Sequence, residues 1–389
     1  MGKTELFQNK KECCGCEVCA QVCPMHIIEM QKDEEGFLYP KITDSSKCID
    51  CKKCEKVCPV KNAESEEHPV KTYRAGSMND AKETASCASG GLGTALNKAM
   101  IEAGGVVYGV SYSEDFKEIV YRRAEKAEQL NAFKTSKYAQ ARKGDVYAKV
   151  AADLKNGREV LFIGLPCEVY ALRLYIGADE NLYTVGLICH GPTSQKVHGD
   201  FVSSLEKKEN SRIKAFSVRY KLDGNWKPYY THAEFENGNV YNVPFHESEY
   251  GVAFRYLKRP SCNVCRLKLP HLYADLTIGD YHYAHKGMES YDPAGVSVAM
   301  VHTDRGQKLL DILKEFKLYD IDKRSAQMNE ALLSAIPEKK ARGAFVKTLS
   351  KNGLGAACSC SAVCRNDKSD RRKAEWKRRI AKLVKKVRR

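Results

Sequence analysis

The chain has 389 residues, of which 43 % are hydrophobic and 17 are cysteine, and it carries a formal net charge of +15. Its length favours two or three domains over one, and without an apolar run of roughly 18 residues or an N-terminal apolar segment it indicates neither membrane insertion nor export. Residues 366–389 hold twelve Lys/Arg and three Asp/Glu, a net of +9 that leaves +6 for everything before them, so the charge belongs to a tail and a genome-binding body is not supported.

The default compartment is the cytoplasm, which keeps thiols reduced and free to act as metal ligands. Cys13, Cys16, Cys19 and Cys23 before Pro24, and Cys48, Cys51, Cys54 and Cys58 before Pro59, repeat C-x-x-C-x-x-C-x-x-x-C-P. In that pattern three closely spaced thiolates wrap three corners of a 4Fe-4S cube, and the fourth cysteine reaches over to the other cluster. Cys13, Cys16, Cys19 and Cys58 are therefore expected to hold one 4Fe-4S cluster, and Cys48, Cys51, Cys54 and Cys23 a second. Cys14 falls outside the spacing. A pair of zinc ribbons is the competing account, but these use paired cysteines rather than a triplet followed by Cys-Pro. Between the repeats, 36–40 reads as a short strand, and 1–62 as a ferredoxin-like domain.

Residues 61–69 read as a linker and 71–320 as a larger domain. Strands are expected over 105–112, 159–163, 182–188, 274–278 and 296–302, and helices over 91–103, 146–155 and 305–316. Their alternation argues for a mainly parallel α/β sheet. The segment 213–245, with the turn Glu236-Asn237-Gly238, reads as an antiparallel meander. The fold class is thus a small ferredoxin-like domain followed by a larger mixed α/β domain with an antiparallel β insertion. Cys167 follows one expected strand and Cys189 ends another, both at carboxyl ends, where open α/β sheets bind ligands. With Cys262 and Cys265 they make four thiols, the number for a third 4Fe-4S cluster. Small buried hydrophobes for the first pair, and zinc or no metal for the second, are the alternatives.

Taken in chain order, the cysteine repeat, Ser89-Gly90-Gly91, Gly104-Gly105-Val106-Val107-Tyr108-Gly109, Ser136-Lys137-Tyr138, Gly164-x-Pro166-Cys167, Cys189-His190-Gly191, Arg259-Pro260-Ser261-Cys262-x-x-Cys265 and Thr277-Ile278-Gly279-Asp280 resemble the coenzyme F-420 hydrogenase/dehydrogenase beta-subunit family. The resemblance runs from about Cys13 to Phe316. It implies an FAD-containing oxidoreductase in which iron–sulfur clusters exchange electrons with the flavin. One departure is Leu165, where the family usually has Thr before the Pro-Cys. Ser89-Gly90-Gly91 opening a helix suits a phosphate, the alternative being an ordinary cap with Ser89 as N-cap. Lys137, Tyr138 and Gln140 are candidates for the FAD pyrophosphate or ring, against a solvated Lys and a core Tyr. There is no G-x-G-x-x-G, hence no support for a Rossmann dinucleotide site. His190 and Asp280, at strand ends, are the candidate catalytic residues for proton handling, the alternative for His190 being a structural histidine.

Residues 321–389 read as a C-terminal extension. Cys358, Cys360 and Cys364 lack a fourth neighbour and match no cluster spacing. Trp376, Ile380, Leu383, Val384 and Val387 fall on one face of a basic helix suited to an acidic partner or to peripheral contact with an anionic membrane surface, or simply to water. Two functions are consistent with all of this. In one, an enzyme takes electrons from ferredoxin or another redox protein and passes them through clusters and FAD to an organic substrate or deazaflavin. In the other, the chain is an electron-transfer subunit of a larger hydrogenase/dehydrogenase complex with no organic substrate of its own. No nucleic-acid partner is expected in either.

Overall fold

The computed structural model describes residues 6–64 and 66–387, with the backbone alone for residues 374 and 377–387. Its two cysteine loops share one geometry. Gly15 and Glu17 in the first, and Asp50 and Lys52 in the second, stand at equivalent places of the repeat and all have left-handed φ, which curls each loop tightly. Each loop runs into a short helix, Val18–Val22 or Lys53–Lys56. Between them β1 (Ile28–Lys32) pairs antiparallel with β2 (Leu38–Ile42); of these two strands only the second is expected from sequence.

The larger part has β3 (Thr72–Met78), β4 (Val106–Tyr112), β5 (Ile119–Ala124), β6 (Val160–Gly164), β7 (Leu182–Leu187), β8 (Ile213–Tyr220), β9 (Tyr230–Phe235), β10 (Val240–Pro244), β11 (Leu276–Asp280), β12 (Ser297–Val301) and β13 (Phe316–Asp320). Eight of them form one sheet in the order β13-β3-β12-β11-β7-β6-β4-β5. Only the centre, β4-β6-β7-β11, is parallel; β5, β12, β3 and β13 are added antiparallel. The sheet is therefore mixed rather than mainly parallel, because β5 and β12 double back on their predecessors instead of crossing over a helix. The expected helix 305–316 spans only Asp304–Asp311, since Phe316 already starts β13.

Alternation along the central strands sends side chains to both faces. Val106, Tyr108, Val160 and Phe162 pack with the helices Val146–Lys155 and Pro166–Ile176, while Val107 and Leu161 pack with Leu92–Glu102. The strands β8-β9-β10 form a separate antiparallel sheet. It shares a core with the helix Gln195–Glu209 and with Phe345 and Leu349 of the helix Arg342–Ser359, so the C-terminal extension contributes to the core. Beyond it the helix Ser361–Val387 carries the basic tail, with Trp376 exposed. The side chains of Ile380, Leu383, Val384 and Val387, expected to make its apolar face, lie outside the described residues. No helix among the described residues is long and apolar enough to cross a membrane.

The cysteine loops are seated in these same cores. Phe37 and Tyr39 pack with Val197 and Phe201, and Cys16, Val18 and Val57 pack with Tyr147 and Phe162. Burying a side chain of the size of Phe37 contributes about 1.5–3 kcal/mol. Polar contacts add to this: Gln21 Oε1 accepts the Tyr147 amide at 3.1 Å, and Tyr147 donates its hydroxyl to Cys16 O at 2.9 Å.

Asp275, fully buried ahead of β11, ties the sheet to the helix Asp304–Asp311. Its carboxylate accepts the amide and hydroxyl of Thr184 at 2.9 and 2.6 Å and the Thr303 hydroxyl at 2.7 Å. Burial raises its pKa, but these bonds and Arg173 outweigh burial and hold it below the usual carboxylate value. A depressed folded pKa means stability that is present above the unfolded value and lost as pH falls through the folded one. Asp275→Asn is expected to cost about 1.5–3 kcal/mol at neutral pH and to flatten the acid limb of a plot of Tm against pH. An unchanged acid limb would show that this carboxylate does not couple folding to pH.

Candidate functional site: thiol rings at the sheet edge

Cys23, Cys48, Cys51 and Cys54 line one small pocket of about 30 Å³ whose walls are Ile27, Ile28, Ile42 and Ile49. Cys51 is exposed. The other loop faces inward. Cys13 and Cys58 are the thiols whose charges act on Cys19 most strongly, and burial raises all three. Of the two expected ligand sets, that of Cys13, Cys16, Cys19 and Cys58 is the more buried, the inner ring, and that of Cys23, Cys48, Cys51 and Cys54 the outer.

The inner loop is clasped by residues from the larger part. Gln140 Nε2 donates to Cys14 O at 2.7 Å and Gly15 O at 3.1 Å, and its Oε1 accepts from Arg259. Arg259 Nε donates to Cys13 O at 2.6 Å and Nη2 to Leu38 O at 2.8 Å. A Cβ at Gly15 would come within 2.5 Å of this guanidinium, so glycine is required there twice over, by contact and by φ.

A cavity of about 310 Å³ lies at the carboxyl ends of β6 and β7. It is lined by Cys14, Cys167, Cys189, Cys262 and Cys265, with His190 and Lys268. Cys167 sits in the first turn of the helix Pro166–Ile176, where Pro166 presets the backbone and Glu168 reaches back to the Leu165 amide at 3.0 Å; the Cys14 thiol beside it, and burial, raise the pKa of the Cys167 thiol. Gly191 has φ 90°, donates its amide to Cys189 Sγ at 3.3 Å, and leaves no room for a Cβ against Cys262. Lys268 and Lys258 hold the carbonyls of Cys189 and His190 at 3.0 and 2.7 Å. Cys14, which spacing set aside, has its thiol against those of Cys16 and Cys167 and so stands between the inner ring and this cavity.

All these cysteines are free of disulfides, and no three His, Cys, Asp or Glu among the described residues close around a single metal ion. The thiols of the two pockets, one of them accepting a backbone amide at sulfur, fit the ligand chemistry of 4Fe-4S clusters.

The expected flavin residues are used differently. Ser89 donates its hydroxyl to Val296 O at 2.7 Å, and a Cβ on Gly90 would meet Gly76 O and Ser297 N. The helix cap is Gly91 with φ 87°, not Ser89. Gly90 is thus required by close packing against β3 and β12. Lys137 Nζ donates to the carbonyls of Lys134 and Ala132 at 2.6 and 2.9 Å, and burial lowers its pKa to about 7. Gln140 spends both ends of its amide on the cysteine loop and Arg259. Only the Tyr138 hydroxyl reaches the polar edge, where it accepts from Arg219 at 2.8 Å.

That edge contains Asp280, whose Oδ2 accepts two bonds of 3.0 Å from Arg219. Arg219 is buried, lies 4.3 Å from the Tyr229 ring centre, and has no hydrogen-bond partner at Nε among the described residues. His190 lines the thiol cavity, and burial with nearby Lys258 pushes its pKa down to about 4. In the C-terminal extension Cys358 donates to Glu249 O and Cys364 to Ser359 O.

Residues 157–326 match the family described as coenzyme F420 hydrogenase/dehydrogenase, C terminus of the beta subunit, and residues 12–62 match the 4Fe-4S dicluster domain. No curated protein matches. Among solved structures, a chain of the F420-reducing NiFe hydrogenase complex from Methanosarcina barkeri, studied by xenon derivatization, is similar at 19 % identity over 74 % of this chain and 90 % of that one, with a TM-score of 0.46.

Proposed function

Because the chain belongs to the coenzyme F420 hydrogenase/dehydrogenase beta-subunit family, with a 4Fe-4S dicluster domain at its N-terminus, we propose that it is an iron–sulfur electron-transfer oxidoreductase that works as a subunit of such a complex. The observation that carries this is the line of thiols running from the exposed Cys51, through the inner ring, past Cys14 and into the cavity at the sheet edge. The outer and inner rings would each hold a 4Fe-4S cluster, and Cys167, Cys189, Cys262 and Cys265 a third, which supply one-electron carriage when bound. The protein's own part is to fix the loops and keep water out: Gln140 and Arg259 pin the inner loop, and Lys258, Lys268 and Gly191 set the turn at Cys189.

FAD, which the family resemblance implies, finds a poorer fit. Ser89, Gly90, Gly91, Lys137 and Gln140 are engaged within the protein, so no step here passes through a flavin. A second reading, an enzyme with its own organic substrate or deazaflavin, draws on the buried Arg219 with its unused Nε beside Asp280 and Tyr138.

Iron, sulfide and flavin content of anaerobically purified protein tests both. About twelve irons without flavin are expected for the electron-transfer subunit, and stoichiometric flavin would favour the second reading. A chain that binds no iron under reconstitution overturns the proposal.

A further inference from the structure

We propose that Arg259 raises the reduction potential of the inner cluster, offsetting the burial that opposes added negative charge there. The inference rests on the cluster assignment above and concerns a positioning residue that acts through Cys13. Arg259 is completely buried. Beyond its bonds to Cys13 O, Gln140 and Leu38 O, its Nη2 donates to Cys13 Sγ at 3.5 Å, and its plane covers the ring of Tyr39 at 4.1 Å from the centroid. These contacts fix the guanidinium and leave it no route to solvent.

Among the described residues no carboxylate lies within ion-pair distance of Arg259. A buried cation needs a compensating anion, and the thiolate ring is the one at hand. Reduction adds negative charge to that ring, and a fixed cation in a poorly screening interior favours the added electron. The outer ring has a different setting. Cys51 is exposed, and the lysine beside it, Lys52, pairs with Asp50 at the surface, where solvent and salt screen both charges. Arg259 also leads directly into Pro260-Ser261-Cys262, so the segment that tunes the inner ring supplies a thiol to the cavity beyond it.

The test is a redox titration of the full chain followed by electron paramagnetic resonance, comparing wild type, Arg259→Met and Arg259→Lys. In Arg259→Met the reduction equilibrium of one cluster should fall at least tenfold, about 59 mV for a one-electron couple, with the others unchanged. Arg259→Lys should recover part of that shift. Equal shifts in all clusters, or none reaching tenfold, overturn the inference. If the variants lose iron on purification, wild type labelled with 15N-arginine decides: pulsed resonance should show arginine nitrogen coupled to one reduced cluster only, and no coupling overturns the inference. Absence of iron from wild type would instead remove the cluster assignment itself.

Discussion

Serine at both Cys262 and Cys265 is expected to remove about four of about twelve irons and leave the remaining eight with an unaltered signature. The two thiols stand on a single turn, Pro260–Val264 and the residue after it, and face Cys167 and Cys189 across one cavity. Serine is nearly isosteric, so packing in that turn is kept and only the soft ligand is lost. Cys14→Ala is the control. Cys14 lines the same cavity, but the other four thiols complete a cubane without it, so the iron count should stay at about twelve. Iron analysis with Mössbauer spectroscopy reads both results. Full iron in the double serine variant would remove the third cluster, whereas loss of about four irons in Cys14→Ala would make Cys14 a ligand.

Glu168→Leu and Lys143→Met, each alone, are expected to destabilise the protein by about 3–5 kcal/mol, with part of that recovered when the two are combined. Both side chains are buried, Lys143 at 3 % and Glu168 at 1 % exposure. Lys143 Nζ lies 2.7 Å from Glu168 Oε1 as an ionic contact, while Glu168 Oε2 accepts the Tyr121 hydroxyl at 2.6 Å. Burial lowers the lysine's pKa, but Glu168 and Glu17 outweigh it and keep the ammonium charged. Removing either partner leaves a buried charge without its main counterion beside Cys167; removing both leaves Glu17, still held by Arg142 and the amide of residue 143. Thermal melts of the four proteins make the cycle. Additive losses in the double variant would mean that the pair is not coupled.

The parts of this architecture that were legible in sequence are those written in short-range spacing. The repeat placed Cys23 with Cys48, Cys51 and Cys54, and these four do line one pocket. The apolar runs at β4, β6 and β7 announced themselves because central strands are buried on both faces. β3 (TYRAGSM) and β5 (IVYRRA) did not, since arginine, glycine and serine dilute their apolar pattern. The roles of polar residues were the least legible, because their partners are remote. Ser89 spends its hydroxyl on a carbonyl 207 positions away, and Gln140 its amide on a loop 126 positions away. Cys14 was set aside on spacing alone; its direction follows from the left-handed turn at Gly15 and the guanidinium packed behind it.

Seating the cysteine loops in the cores of the larger part changes the kinetics of delivery. A carrier protein must ordinarily find its client by diffusion, dock, and leave, and each encounter depends on concentration and on salt. Here Phe37, Tyr39, Val18 and Val57 are already interdigitated with the client, so that encounter has been completed once, during folding. The internal relay should proceed at the same rate however far the protein is diluted. Any salt dependence of turnover then reports only what happens outside, where another molecule meets the exposed loop around Cys51.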